Sequence, residues 1–471
     1  MTRRLKAFIP LEVASPRSSG LAPSARARLL TGLIPAGSII LGGTTLASYV
    51  LGLLRDRTFA QTFGASRALD AYNAAFLLPD LLFNILIASG IAAAVVPIFT
   101  ELNRQDKEKA HEYTNTIITG ATGTMIFVSV LMIIFAGSIS HIVAPGLDKQ
   151  GEKMVTDITR ILALSPILFG ISNTIGAVLI ARRRFLFYGL SPVFYNLGII
   201  GGTIILSPTM GIMGTAIGTL TGASAHLLIR LVDAIRTGLT LGINYNFKTP
   251  EFKKTLKLML PKMLGHPVEL ITFWGFTVIA SSLGTGAIAV MNFARNFESV
   301  PVSLIGITLS TTAFPALAEA IAGNSQGEYK RVLKNSFWLI LGGGVLAAII
   351  TFIIREPLIR LVLGGGAFNE EAIKTTAFVL GVFTLAMPTE SLVHLLARAF
   401  YATKNTVVPV VMSIIGLIIS IGGAYFLAPT MGIIAIPLSF FVASFVEVIL
   451  LMILLPRRLR KIMISPVQIS S

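Results

Sequence analysis

The chain has 471 residues, of which 54% are apolar and only 13% charged, with a mean hydropathy of +0.80. A soluble domain carries about 25% charged residues, so a water-soluble fold is excluded. No cysteine is present, which rules out disulfides, thiolate metal sites and cysteine nucleophiles and fits a bacterial inner (cytoplasmic) membrane protein. The formal net charge of +16 gathers at alternate helix ends and forms no single basic face, so it reads as topology, and no nucleic-acid partner is expected.

Residues 1–30 are rich in Arg, Ser, Ala and Pro, with no apolar core before Leu29. That predicts a basic cytoplasmic tail and argues against a cleaved secretory signal. Beyond it, apolar runs long enough to cross a hydrocarbon layer of about 30 Å predict helices near 33–54, 70–99, 115–144, 154–181, 187–207 and 211–235. A second set follows near 257–283, 286–321, 334–354, 372–400, 406–427 and 432–455. Backbone groups in lipid must bond within their own segment, so these runs are helices. The expected fold class is all-α integral membrane: about twelve transmembrane helices in two pseudo-symmetric six-helix lobes around a central cavity. The N-lobe spans 31–240, the C-lobe 241–456, and residues 457–471 form a basic cytoplasmic C-terminal tail.

Connections after even-numbered helices carry Arg104, Lys107 and Lys109, then Arg182, Arg183 and Arg184, then Arg236 and Lys248, then Lys330, Arg331 and Lys334, then Arg398 and Lys404. The intervening turns 207–211, 281–286 and 428–432 carry no basic residue. This asymmetry places both termini in the cytoplasm.

The two halves repeat. Ser-Pro-Thr-Met-Gly-Ile at Ser207–Ile212 returns as Ala-Pro-Thr-Met-Gly-Ile at Ala428–Ile433. Ala181 and Arg182, with Pro192, pair with Ala397, Arg398 and Pro409, while Gly64 and Pro97 pair with Gly284 and Pro315. Two parallel six-helix repeats enclose a midplane site, an arrangement that transporters open alternately to each side.

Ionisable side chains inside the apolar runs mark function, because each costs about 2.5–3.5 kcal/mol at the bilayer centre. Helices 1 and 2 supply Arg55, Asp56, Asp70, Asn73, Asp80 and Asn84. Helix 7 supplies Lys262, His266 and Glu269, whose i, i+4, i+7 spacing predicts one cavity-facing stripe. Helix 8 supplies Asn292, Arg295 and Glu298, and helix 10 supplies Glu390 and His394. Arg295 and Glu298, one turn apart, read either as a structural ion pair or as a substrate site in which the carboxylate orients the guanidinium. Arg55 and Asp56 read as cavity residues or as an interfacial pair at a helix end. Asp70 and Asp80 read equally well as helix caps, interhelical hydrogen-bond acceptors or ligand contacts. Pro79, Pro261, Pro267, Pro301 and Pro388 fall inside helical patterns, where each predicts a kink. Phosphate loops, nucleophile elbows and metal-spaced acid pairs are missing, so no catalytic residue, no metal and no cofactor is expected and the chain does not read as an enzyme.

The stretch Ser48-Tyr-Val-Leu-Gly-Leu-Leu-Arg55-Asp56, followed by Thr62-Phe-Gly64-Ala65, Asp70-Ala-Tyr, Phe76-Leu-Leu-Pro79-Asp-Leu-Leu82 and Val96-Pro97-Ile98, resembles the N-terminal signature of the MurJ/MviN family of lipid II flippases. Asn292-Phe-Ala-Arg295 with Glu298 and Pro301, then Phe314-Pro315 and Gly365-Gly-Ala-Phe368, resemble later motifs of the same family. The resemblance implies the multidrug/oligosaccharidyl-lipid/polysaccharide exporter fold. It also implies transfer of an undecaprenyl-diphosphate-linked peptidoglycan precursor from the cytoplasmic to the periplasmic leaflet by alternating access, with membrane lipids as the other partner. It assigns Arg55, Asp56, Asp70, Arg295 and Glu298 to the cavity; the intramembrane polar residues themselves add Lys262 as a further substrate-binding charge and Asn73, Asp80, His266, Glu269 and Glu390 as cavity or coupling candidates. Tyr49 and Phe83 stand where the family usually has arginine, and Ser89 where glutamate is common. Coupling to Na⁺, to protons or to the membrane potential is expected in place of a nucleotide, and a closed two-lobe monomer needs no partner subunit.

Overall fold

The computed structural model describes residues 36–265 and 267–464. Helix α1 is Ala36–Phe63, α2 Arg67–Gln105, α3 Lys107–Ile134, α4 Lys149–Ala181, α5 Phe185–Met210 and α6 Ile212–Arg236. In the second half α7 is described over Pro250–Gly265 and Pro267–Ser281, its first and second pieces below, α8 is Ala287–Ala322 and α9 Gln326–Val362. The pieces Glu370–Phe383 and Ala386–Ala402 form α10, bent by 44° between them, and α11 is Val407–Met431 and α12 Ala435–Ile464. No strand occurs among the described residues.

The chain is thus all-helical and membrane-spanning, as the composition requires. Length and apolarity qualify eight helices as spans among the described residues, nine with the bent α10, against the twelve expected. α1 and α7 adjoin residues outside the described ones and are not among the eight, and α11 runs into α12 through the tight turn Gly432–Ile434, so that pair counts once.

Helix starts follow capping chemistry. Ser66 accepts from the Leu69 amide, Asp106 from Glu108 and Lys109, Asp148 from Gly151, Ser325 from Glu328 and Asn369 from Ala372. The proline expectation is met unevenly. Pro79 lies inside α2 just before the π-helical turn Asn84–Ala88, and Pro301 abuts the π-helical turn Val302–Ile307 in α8. Such turns mark a local excess residue in the helix. Pro388 instead falls in the first turn of Ala386–Ala402, where a missing amide has no consequence.

The internal repeat is visible in the backbone itself. Gly211 has φ 56 and ψ −142, and Gly432 has φ 60 and ψ −142. The pieces of α4, Lys149–Leu162 and Ser165–Ala181, match those of α10, Glu370–Phe383 and Ala386–Ala402, boundary for boundary at the spacing that separates Gly211 from Gly432. That register aligns Ala181 with Ala402 and corrects the pairing of Ala181-Arg182 with Ala397-Arg398, which falls five residues out of step. A two-residue match inside a long apolar helix is too short to hold register.

Packing between α5 and α6 depends on bare backbone. A Cβ on Gly202 would come within 2.3 Å of the Gly218 Cα, so the two helices touch through small residues as membrane helices commonly do. The first piece of α7 packs on the N-lobe: Met259 is buried among Ile87, Ile91 and Tyr113, and Tyr113 bonds Thr255 through their hydroxyls at 2.7 Å. The second piece packs with α11 in the C-lobe, where Phe276 and Phe440 meet edge to face.

Candidate functional site

A cavity of about 640 Å³ lies between the lobes, walled by α1, α2, α4, α5 and His226 of α6 on one side and by the second piece of α7 and α8 on the other. Asp56 ties the two walls together. Only 5% exposed, it accepts from Nε and Nη2 of Arg55 at 3.1 and 2.9 Å through Oδ1, and from Asn296 Nδ2 at 2.8 Å through Oδ2. Arg55 also donates from Nη1 to Asn196 at 3.3 Å. Its side chain keeps 28% exposure, so part of the guanidinium faces the cavity. Asn73 and Asp80 share this wall, Asp80 accepting from Asn84 Nδ2 at 2.9 Å.

Across the cavity, Arg295 is the centre of an acidic cluster. It donates in a fork to Glu390 at 2.7 and 3.0 Å, bonds Glu298 on its own helix, and sits 3.6 Å from Glu269. The guanidinium stacks near Phe273 at 4.7 Å and Phe440 at 5.1 Å. One cation therefore faces three carboxylates. Glu298 is fully buried, and its Oε1 has no hydrogen-bond partner. Behind the cluster a recess of about 230 Å³ is lined by Glu269, Glu390, His394 and Glu447, the last accepting from Ser413 at 2.8 Å.

At the face opposite the basic connections the lobes are closed onto each other. Asp70 in α2 accepts from the Gly286 amide at 2.6 Å and the Ala289 amide at 2.8 Å, capping α8 of the other lobe. Gly286 has φ +86, and a Cβ there would lie 2.5 Å from the Ala65 carbonyl. Arg57 in α1 donates to the Leu361 and Val362 carbonyls at 2.7 and 3.1 Å, capping the C-terminal end of α9. The Ala367 amide donates to the Gln61 carbonyl at 2.8 Å, and the Gly146 amide to Ser281 Oγ at 3.0 Å. These bonds satisfy helix-end groups that would otherwise be bare.

The structure thus gathers Arg55, Asp56, Asn73, Asp80, Glu269 and Arg295 on one cavity, and sets Glu298 and Glu390 against Arg295. Asp70 lies outside the cavity wall, with both carboxylate oxygens taken by backbone amides of α8; it is at once a helix cap and an interhelical hydrogen-bond acceptor, two of the readings open in the sequence. The side chain of Lys262 and all of His266 lie outside the described residues. Of the three residues of that predicted stripe, Glu269 is placed on the cavity wall.

Sequence reasoning missed several groups. Asn296 completes the Asp56 bridge and Arg57 the α9 cap. On α6, His226, Arg230 and Asp233 form a buried stripe: His226 bonds Ser172 at 2.8 Å, Arg230 donates to Ser191 at 2.7 Å, and Asp233 pairs with Arg184. Their i, i+4, i+7 spacing in an apolar helix was the available signal.

The family model described as lipid II flippase MurJ matches residues 59–470. The chain belongs to the lipid II flippase MurJ family. Among its relatives is a probable lipid II flippase MurJ of Buchnera aphidicola subsp. Acyrthosiphon pisum, 27% identical over 381 residues, covering 80% of this chain and 75% of the relative. The lipid II flippase MurJ of Burkholderia cenocepacia is 26% identical over 429 residues, covering 89% and 83%. In fold the chain matches a lipid II flippase MurJ in an inward closed conformation, with a TM-score of 0.77 at 22% identity over 90% of each chain. It also matches an inward-facing multidrug transporter of the MATE family, with a TM-score of 0.73 at 13% identity, over 91% of this chain and 99% of that one. Against the usual MurJ pattern, Phe83 lines the cavity where arginine is common, and Tyr49 is 57% exposed and stands off the cavity wall.

Proposed function

We propose that this chain moves lipid II, an undecaprenyl-diphosphate-linked peptidoglycan precursor, from the cytoplasmic to the periplasmic leaflet of a bacterial inner membrane by alternating access. The observation that carries the reading is the inter-lobe cavity, polar at Arg55, Asp56 and Asn296 and sealed at one face by Asp70 on α8 and Arg57 on α9. With both termini cytoplasmic, as the basic connections argue, the sealed face is periplasmic. A diphosphate head cannot cross hydrocarbon unaided. Arg55, with a partly exposed guanidinium, receives it. Arg295 joins by giving up Glu269, its longest and most exposed contact. The prenyl chain stays in lipid throughout, and a monomer suffices.

The acidic excess around Arg295 supports a coupling role. Two surplus carboxylates inside a membrane are unfavourable unless neutralised, so the cluster takes up a proton or Na⁺. The unpartnered Oε1 of Glu298 is the acceptor this reading favours. Filling or emptying that site alters what Arg295 can offer the substrate, which ties the gradient to the cavity.

The test is replacement of a host's own lipid II flippase by this chain, scoring lipid II exposed at the periplasmic face. Rescue that Arg295→Glu removes, with the variant present in the membrane, is the expected result. Absence of rescue by the wild-type chain, confirmed in the membrane, overturns the substrate.

A further inference from the structure

We infer that the outer, basic-side face of the C-lobe carries a binding site for an anionic glycerophospholipid, separate from the transport cavity. A groove of about 620 Å³ runs between α9 and α12 with Leu396 of α10 beneath it. On α9 its wall is Lys330, Lys334 and Phe337, which recur at helical spacing; on α12 it is Met452, Leu455 and Arg460. None of Lys330, Lys334 and Arg460 makes an ion pair among the described residues, although the neighbouring Arg331 pairs with Glu328 at 3.5 Å.

The groove is graded along the membrane normal. The uninterrupted apolar run of α9 starts at Phe337, and Trp338 beside it is 60% exposed, the depth at which tryptophan sits between acyl chains and headgroups. Lys334 lies one turn further out, about 5 Å along the helix axis, and Lys330 another turn beyond. α12 repeats the order, with Met452 and Leu455 at chain depth and Arg460 at headgroup depth. Apolar walls under three uncompensated cations match two acyl chains under a phosphate, and basic pockets between membrane helices hold anionic headgroups in this way. A zwitterionic lipid brings its own cation and gains less. The groove shares no lining residue with the inter-lobe cavity, so the occupant is a membrane phospholipid and not the transported cargo.

The test is native mass spectrometry of the full chain in a neutral detergent, titrated separately with phosphatidylglycerol, phosphatidylcholine and a polyprenyl diphosphate. Phosphatidylglycerol should be retained at least about fivefold over phosphatidylcholine. The combined variant Lys330→Gln, Lys334→Gln, Arg460→Gln should bring that ratio close to one. Should the triple variant fold poorly, Met452→Trp, at a position 40% exposed, fills the groove with all three charges kept, and it should also abolish retention. The inference is overturned by equal retention of the two phospholipids, by a preference that survives either folded variant, or by displacement of phosphatidylglycerol by polyprenyl diphosphate.

Discussion

Asp70 and Ala289 stand in different halves of the chain, yet the Asp70 Oδ1 accepts the Ala289 amide at 2.8 Å and fixes the start of α8 against α2. With the second bond, from Gly286 to Oδ2, one carboxylate closes the gap between the lobes. A negative group at a helix N-terminus also meets the positive end of the helix dipole.

Replacing Asp70 by Asn removes the charge while keeping an acceptor. Hydrogen bonds to charged groups contribute about 1.5–3 kcal/mol, so the closed face should open more often by roughly tenfold or more. The chain has no cysteine, so Ser282→Cys gives a single reporter thiol at the closure. Faster labelling by an impermeant maleimide in the Asp70→Asn background is expected; an unchanged rate removes Asp70 from the closure.

Arg55 separates charge from geometry. Arg55→Lys keeps the cation but loses the fork on Asp56, while Arg55→Ala loses both and leaves Asp56 with Asn296 as its remaining partner. Binding of a soluble polyprenyl-diphosphate analogue should fall about tenfold in the lysine variant and further in the alanine variant, consistent with about 1.5–3 kcal/mol per charged hydrogen bond. Equal affinity across all three proteins would move the diphosphate elsewhere in the cavity.

Glu298→Gln tests coupling. The substitution preserves size and removes one of three negative charges around Arg295. Leaflet exchange in proteoliposomes should lose its response to an imposed proton or sodium gradient while the substrate analogue still binds. A gradient response equal to wild type would take Glu298 out of the coupling path.

Gly218→Val addresses packing. The Gly218 Cβ position lies 2.6 Å from the Gly202 Cα, leaving no space for a branched side chain, and overpacking of this kind costs about 1–3 kcal/mol or more. Purified protein should unfold at a lower temperature than wild type, with Gly218→Ala between the two. Unchanged unfolding in both variants would mean that α5 and α6 can separate without loss.

Local chemistry was legible along the chain. Hydropathy runs place helices because every backbone group in lipid must bond within its own segment. The repeat of Pro-Thr-Met-Gly-Ile reappears as the same backbone conformation at Gly211 and Gly432. Family membership could be read from motif residues such as Asn292-Phe-Ala-Arg295, which lies inside the family match over 59–470.

Partner choice was not local. Asp70 finds the amides of Gly286 and Ala289, Arg57 finds the carbonyls of Leu361 and Val362, and Arg295 finds Glu390. A carboxylate in an apolar helix announces only that it needs a partner, since leaving it bare is unfavourable. Which partner it takes depends on how the helices are docked, between the lobes for Asp70 and Arg57 and within the C-lobe for Arg295. The docking of α7, with Pro250–Gly265 on the N-lobe and Pro267–Ser281 in the C-lobe, belongs to the same class. The amino-acid sequence by itself determined a membrane-embedded, internally repeated helical protein with charges that demand partners; the tertiary structure alone decided the pairings, because the free energy of each lies in contacts between helices far apart in the chain.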